Sequence, residues 1–137
     1  MKQRCLLPLA LLLSNTALAA APACPSAKFP VFLAKYADSI ALQKTFTADS
    51  LDMSMLDLAA QPEPRPVNTQ LAKGKLSYPL IPSAAVRKQQ GLAFRIDEVT
   101  DKNARATLFK EDTDYKVSYV FRKERCWKLE RKDDQSL

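Results

Sequence analysis

Residues 115–130 read YKVSYVFRKERCWKLE, and this stretch predicts two adjacent antiparallel strands. In the first strand the large apolar side chains occupy every second position from Tyr115 to Phe121 and alternate mostly with polar ones. Such a period of two is typical of a strand with one buried and one solvated face. A short polar connection at 123–125 leads to a second strand beginning at Cys126, in which we expect Trp127 and Leu129 to lie in the core.

The same alternation continues upstream of this pair. Residues 92–97 and 104–109 each alternate apolar and polar side chains, and polar turns are expected at 101–103 and 111–114. Asp112 and Asp114 read as turn formers, because they lack the ligand number and the glycine of a calcium loop. Four strands joined by short turns predict an antiparallel meander.

One face of this meander must be covered, and an N-terminal helix is the best candidate. Apolar residues recur every three or four positions between Phe29 and Ile40, and Pro30 suits a first helical turn. The spacing predicts a helix over about 30–43, with Lys35, Asp38 and Gln43 off its apolar face. The predicted fold class is therefore α+β, an N-terminal helix packed on a curved antiparallel meander of about four strands.

The middle of the chain is less regular. Residues 51–58 begin with a period-two pattern and predict a further strand, whereas the three prolines within 61–66 predict an extended connector. Residues 76–81 could add a strand, but Pro79 and Pro82 would place it at a sheet edge.

Three groups of residues resemble an uncharacterised exported bacterial family of the NTF2-like (cystatin-like) fold. The first is Phe29-x-x-Phe32-Leu33-x-x-Tyr36-x-x-Ser39 with Gln43, the second is Tyr115-x-Val117-x-Tyr119-x-Phe121, and the third is Cys126-Trp127-x-Leu129 with Asp134-x-Ser136. The resemblance covers roughly 28–137. It implies a cone-shaped domain with a pocket between helix and sheet, and it brings no activity with it.

The first nineteen residues are typical of an export signal. Lys2 and Arg4 precede an apolar run, and 17–19 supply a small-x-small cleavage site. We expect residues 1–19 to be a signal peptide, 20–28 a leader and 29–137 a single domain, in a periplasmic or secreted protein. Removal of Cys5 leaves Cys24 and Cys126, which predicts one disulfide in an oxidising compartment. The alternative is a lipidated Cys24.

Charge is distributed unevenly along the chain. The formal net charge is +6, loss of Lys2 and Arg4 leaves +4, and residues 65–137 hold sixteen basic and ten acidic side chains. This pattern favours either an acidic protein or envelope partner or an ordinary solvated sheet face. Nucleic acid is not an expected partner of an exported protein. The candidate basic contact patch consists of Arg122, Lys123, Arg125, Lys128, Arg131 and Lys132.

Two compositional features exclude several classes of enzyme. The sequence contains no histidine, which excludes His-based triads and makes typical catalytic zinc sites improbable. Only two glycines occur, so the phosphate-binding loops of nucleotide enzymes are absent too. We therefore expect no metal and no cofactor.

The remaining candidates for chemistry are aromatic and acidic. A pocket between helix and sheet would be lined by aromatic residues, although these could equally be ordinary core. Asp97 could act as a general base only if buried, and the strand pattern predicts that it faces solvent beside Arg95. The candidate pocket residues are Tyr36, Phe94, Tyr115, Tyr119 and Phe121.

These observations favour a non-enzymatic binding domain. The first hypothesis is an exported protein that works through a protein or envelope partner, for example an immunity-type toxin inhibitor. The alternative is a binder, or a lyase or isomerase, that takes a small hydrophobic molecule into the cone pocket. The two differ in whether a buried carboxylate or tyrosine lies at the base of an open pocket.

Overall fold

The described part of the chain begins with helices and ends with strands. The computed structural model describes residue 14 and residues 20–137, so the predicted signal peptide lies outside the described residues apart from Ser14. Residues 20–137 form three α-helices and six β-strands. In chain order they are α1 (Phe29–Ala37), α2 (Ile40–Thr45), β1 (Thr47–Asp57), β2 (Arg65–Ala72), α3 (Ala84–Gln90), β3 (Ala93–Val99), β4 (Asn103–Phe109), β5 (Lys116–Lys123) and β6 (Trp127–Asp134).

The six strands form one sheet with the order β2-β1-β6-β5-β4-β3. The predicted meander is present as β3 to β6, and each neighbouring pair in it is antiparallel. The predicted number of about four strands is wrong, because β1 and β2 extend the same sheet. β1 pairs parallel with β6, so the last strand of the chain lies between the first strand and the meander.

The sheet has an inner face, which the helices cover in part, and an outer face of mostly polar side chains. Residues 117, 119 and 121 of β5 point to the inner face and are buried. The register shifts at three places, within β1–β6, β3–β4 and β5–β6. Such irregularities bend strands and increase their twist, which curves the sheet around the helices.

The predicted single helix over 30–43 is two helices in the structure. Pro30 occupies the first turn of α1, as the sequence predicts. Ser39 has extended backbone angles and its side chain accepts a hydrogen bond of 3.2 Å from the Leu42 amide, so it caps α2. The local side-chain bond competes with continuation of the helix and breaks it at this residue.

Helix α1 covers one end of the inner face with aromatic side chains. The Phe29 ring lies 5.1 Å from Phe121 and 5.2 Å from Trp127 between centroids, both in edge-on geometry. Trp127 and Leu129 are buried, as predicted. Two predicted orientations on the helix are wrong: Ile40 is 48 % exposed, and Gln43 is completely buried.

Three further elements differ from the sequence-based expectation. β2 begins at Arg65, directly after the proline-rich connector, and it forms a sheet edge on which Pro66 is tolerated. Residues 76–81, predicted as an edge strand, form no strand. Helix α3 was not predicted, although Ser83 caps its start and Gly91, with φ of 71°, ends it.

Cys24 and Cys126 form a disulfide, as predicted. Their Cα atoms lie 5.4 Å apart and the two residues are 102 positions apart in sequence. The Trp127 indole nitrogen donates a hydrogen bond of 3.0 Å to the Ala27 carbonyl, next to the disulfide. The leader is therefore fixed to the start of β6 directly before α1 begins.

Candidate ligand-binding site

A one-residue irregularity in β6 turns a charged side chain towards the inner face. Phe121 pairs with Leu129, but its neighbour Val120 pairs with Arg131, so Glu130 is the extra residue of a bulge. Because an inserted residue switches the face of every residue that follows, Lys132 and Asp134 lie on the inner face with Leu129.

Lys132 and Asp134 lie in two neighbouring rows that run across the sheet. In the first row Lys132 lies between Met53 of β1 and Tyr119 of β5, and in the second Asp134 lies between Met55 and Val117. These side chains border a hollow of about 260 Å³ that opens to solvent. Its lining residues are Met53, Ser54, Met55, Thr69, Leu71, Lys132 and Asp134.

The hollow begins where the cover of the inner face ends. Residues 80 and 81 lie over the sheet, and the Tyr119 hydroxyl donates a hydrogen bond of 3.0 Å to the Leu80 carbonyl. The buried Gln43 holds this segment, because its side-chain oxygen accepts bonds of 2.6 and 3.3 Å from the Leu80 and Ile81 amides. Its nitrogen donates to the Ile81 and Ala37 carbonyls. Gln43 thus fixes the boundary between covered and open sheet.

Electrostatically, Lys132 is the unusual member of the hollow. Burial lowers its pKa, and the nearby Asp134 carboxylate opposes this effect only in part. The Lys132 ammonium forms no hydrogen bond and no salt bridge to any residue within 20–137. The Asp134 carboxylate accepts a hydrogen bond of 3.0 Å from the Ser136 amide. A partly desolvated cation of this kind gains by binding an anion or by losing its proton.

The candidate tyrosines do not act as free phenols. Burial raises the pKa of Tyr36 and of Tyr119 far above the ordinary range. The Tyr36 hydroxyl forms a hydrogen bond of 2.7 Å with Thr47, and that of Tyr119 is bound to the Leu80 carbonyl. Tyr115 is half-buried, and its pKa is raised by burial and by Asp134. Neutral phenols that already donate to the protein are poor candidates for acid or base catalysis.

The predicted aromatic pocket is not an open space in the structure. Tyr36, Tyr119 and Phe121 are buried and pack in the core, and the Phe94 ring lies against Tyr119 at 6.2 Å. The Arg87 guanidinium lies 4.8 Å from the Phe94 ring and covers it from α3. Tyr115 borders a separate hollow of about 490 Å³ at the turn between β4 and β5. The open hollow lies beside these aromatics, and its apolar wall consists of Met53, Met55 and Leu71.

The six residues of the predicted basic contact patch do not share one surface. Arg122 lies opposite Lys128 on the outer face and 3.8 Å from Glu130. Arg131 pairs with Asp133 at 2.7 Å, whereas Lys132 lies on the inner face, which corrects its assignment to the patch.

The other two members, Lys123 and Arg125, lie where β5 ends and in the connection to β6. The Lys123 ammonium lies 5.7 Å from the Trp127 ring centroid, and Arg125 donates a hydrogen bond of 2.6 Å to the Pro22 carbonyl. Arg125 therefore helps to hold the leader.

The candidate acidic residues lie away from the hollow. Asp97 accepts hydrogen bonds of 2.6 Å from Arg95 and 2.5 Å from Thr107. Partial burial acts to raise its pKa, but these bonds and the charges of Arg95 and Arg105 outweigh it and lower the pKa. Asp112 and Asp114 belong to the turn before β5, and no cluster of metal ligands occurs among the residues that the structure describes.

Comparison with known proteins identifies the fold. No family model matches the sequence, and no curated protein matches it. The structure is similar to the crystal structure of an NTF2-like protein from Bacteroides fragilis, with a TM-score of 0.57 and 15 % sequence identity. The fold is NTF2-like. The match covers 80 % of this chain and 47 % of that protein, so the chain spans about half the length of the protein that it matches.

No helix within residues 20–137 has both the length and the apolar character needed to cross a bilayer.

Proposed function

We propose that this protein is a binding domain for a small amphipathic anion, held in the hollow of the inner face. The observation that carries the proposal is Lys132, a partly buried ammonium that has no ion-pair partner within residues 20–137 and lies beside Met53 and Met55. An apolar ligand body would pack on the methionines, which adapt easily to different shapes. Its anionic group would restore the electrostatic partner that Lys132 lacks.

The size of the hollow limits the ligand. Drug-sized ligands occupy cavities of about 300–1,000 Å³, and this hollow measures about 260 Å³. A short aliphatic acid therefore fits the site better than a steroid or a nucleotide. Thr69, which lies opposite Met53 on β2, offers a hydroxyl group to a polar tail.

Binding is favoured over lyase or isomerase chemistry by the state of the candidate catalytic groups. The buried tyrosines are neutral and already donate or share hydrogen bonds within the protein. Asp97 is held by Arg95 and Thr107 outside the hollow. Asp134 is the one carboxylate that lines the hollow within the described residues, and it lies next to a cation rather than in an apolar pocket.

Titration calorimetry with three matched six-carbon ligands tests the proposal. A hydrogen bond to a charged group contributes about 1.5–3 kcal/mol, so we expect hexanoate to bind about tenfold more tightly than hexanol. Hexylammonium should bind most weakly. The Lys132→Met variant should lose the preference for hexanoate, whereas Lys128→Met, on the outer face of the same strand, should keep it. Equal binding of hexanoate and hexanol by the unaltered protein would contradict the proposal.

A protein partner is the second candidate, and the exposed edge of the sheet favours it. All eight residues of β2 are exposed, and a free edge can accept a strand from another protein. The role of an immunity-type toxin inhibitor remains a form of this candidate. Pull-down from a periplasmic extract, with Arg122→Glu/Lys128→Glu as the matched variant, tests it. We expect the unaltered chain to retain a protein that the variant retains less well. Capture of no protein by the unaltered chain would contradict the candidate, whereas equal capture by the variant would exclude only the basic residues and leave the β2 edge as the contact.

Export to an oxidising compartment is part of both candidates, and the disulfide supports it. The Cys24 sulfur in a disulfide is not available for a lipid thioether, which favours cleavage after Ala19 over lipidation. The intact mass of the mature protein distinguishes the two, because a diacylated Cys24 adds the mass of a lipid and begins the chain four residues later than cleavage before Ala20.

A further inference from the structure

We propose that the Lys132 amine also captures small aldehydes covalently, as a reversible imine formed inside the inner-face hollow. The inference rests on the proposed ligand site and names a second class of ligand for it. An aldehyde with a short alkyl chain has the same apolar body as the proposed acid. Its carbonyl carbon would lie at the position of the acid's carboxylate carbon, next to the Lys132 Nζ atom.

The surroundings of Lys132 favour this chemistry. An amine attacks a carbonyl only in its unprotonated form, and desolvation by apolar neighbours increases the fraction in that form. Met53 lies beside Lys132 in one row of the sheet, and Met55 and Leu71 complete the apolar wall. No salt bridge within residues 20–137 fixes the ammonium form. The apolar wall also limits access of water to the imine and slows its hydrolysis.

The groups that face Lys132 supply the proton transfers. The titratable neighbours are Asp134 on the same strand and Tyr119 on β5, with Tyr115 directly before β5 and close to Asp134. Met53, Thr69 and Leu71 from β1 and β2 do not titrate. The phenols are neutral, so Asp134 is the group able to accept and return a proton. Two residues along a strand correspond to roughly 7 Å, a distance that one water molecule or the ligand's own oxygen can bridge.

The reaction balances without any oxidant or reductant. The Nζ lone pair forms a bond to the aldehyde carbon, and the carbonyl oxygen takes up a proton to give a carbinolamine. The carbon–oxygen bond then breaks, and the oxygen leaves as water with the two hydrogens that the amine has lost. Asp134 accepts the proton from nitrogen and passes it to the departing hydroxyl. The products are one imine and one water molecule.

Reductive trapping tests the proposal on the disulfide-bonded protein. The protein is incubated with hexanal and cyanoborohydride at neutral pH, and the alkylated lysines are mapped and quantified by peptide mass spectrometry. We expect Lys132 to be labelled several times faster than Lys128, which lies on the outer face of the same strand. Hexanoate should slow labelling of Lys132 and leave Lys128 unaffected, because it competes only for the hollow.

Two variants test the roles of Lys132 and Asp134, and hexanoate binding by the unaltered protein separates this proposal from the proposed function. Lys132→Arg forms no stable imine under these conditions, so it should lose the selective label at position 132 and leave labelling of Lys128 unchanged. Asp134→Asn should slow labelling of Lys132 while leaving Lys128 unchanged. Equal labelling of the two lysines, with hexanoate binding intact, would overturn covalent capture and leave the anion site standing. If a protein that is folded by circular dichroism shows neither selective labelling nor hexanoate binding, covalent capture and the anion site are both overturned.

Discussion

The two ends of the inner face belong to the same strands but have different surroundings. At the covered end, Phe121 and Trp127 are buried beneath α1 and the disulfide lies beside them. At the open end, Met55 is 59 % exposed, Lys132 is partly buried, and no element within residues 20–137 covers them. The boundary is the segment that Gln43 holds above Tyr119.

The difference shows how one sheet can divide stability and binding between its ends. The covered end buries large rings that contact one another edge-on, which contributes packing energy beyond the burial of area. The open end keeps a charged side chain and flexible methionines, which add little to stability but leave space for a ligand. Four predictions test this division, beginning with the largest expected effect.

Truncation of one large side chain at each end should give very different losses of stability. Phe121→Ala should lower the free energy of unfolding by about 3–5 kcal/mol, because it leaves a cavity among fully buried aromatic rings. Met55→Ala, at the open end, should lower it by less than about 1 kcal/mol. Urea denaturation measures both. Similar losses for the two variants would mean that the open end is covered in solution.

The disulfide should stabilise the covered end and leave the hollow intact. Cys24→Ser/Cys126→Ser should lower the free energy of unfolding by about 2–5 kcal/mol, because the unfolded chain gains the freedom of a long loop. Hexanoate affinity should change little when measured well below the unfolding temperature. Loss of hexanoate binding by the fully folded variant would show that the covered end and the open end of the inner face are coupled.

Alkaline pH should weaken the covered end through its two buried tyrosines. Their pKa values in the folded protein lie above the unfolded value of about 10, so above pH 10 the unfolded chain releases protons that the folded protein retains. Stability should therefore fall as the pH rises, by about 1.4 kcal/mol per pH unit for each tyrosine. Urea denaturation at pH 9, 10 and 11 checks this, and Tyr36→Phe should reduce the slope by half.

The smallest effect is expected at the open end, where a charge is partly desolvated. Lys132→Met should raise the free energy of unfolding by about 0.5 kcal/mol at neutral pH, and Lys128→Met should leave it unchanged. The folded-state pKa of Lys132 lies below its unfolded value near 10.5. Between these two pKa values the unfolded chain binds more protons than the folded protein, so the stability of the unaltered protein rises with pH. Above the unfolded value, Lys132→Met should no longer be more stable than the unaltered protein. If Lys132→Met is less stable than the unaltered protein at neutral pH, the Lys132 ammonium is not unpaired in the folded protein.

Sequence reasoning succeeded where a local pattern is sufficient. The period of two in 92–130 predicted the meander, and the cysteine count after cleavage predicted the disulfide. β2 escaped prediction because it begins beside prolines and carries only a few scattered apolar side chains, so only pairing with β1 defines it. α3 is short and weakly amphipathic, yet Ser83 and Gly91 were available as end signals.

The candidate site escaped prediction for a physical reason. In the sequence, Arg131-Lys132-Asp133-Asp134 is a run of charges, which normally lies on a solvated face. Only the bulge at Glu130 assigns Lys132 and Asp134 to the inner face, and a bulge depends on the register of the neighbouring strand. Gln43 was assigned to the solvent side for a similar reason, since the break at Ser39 rotates the following turn.

The position of β6 in the sheet also has a consequence for the order of folding. β1 and β2 are complete by residue 72, but β1 meets the meander only through β6, which ends at Asp134. A nascent chain therefore holds two unconnected pieces of sheet until β6 has been synthesised. Pairing between strands so distant along the chain is slow, and without β6 the two pieces of the sheet would not be joined.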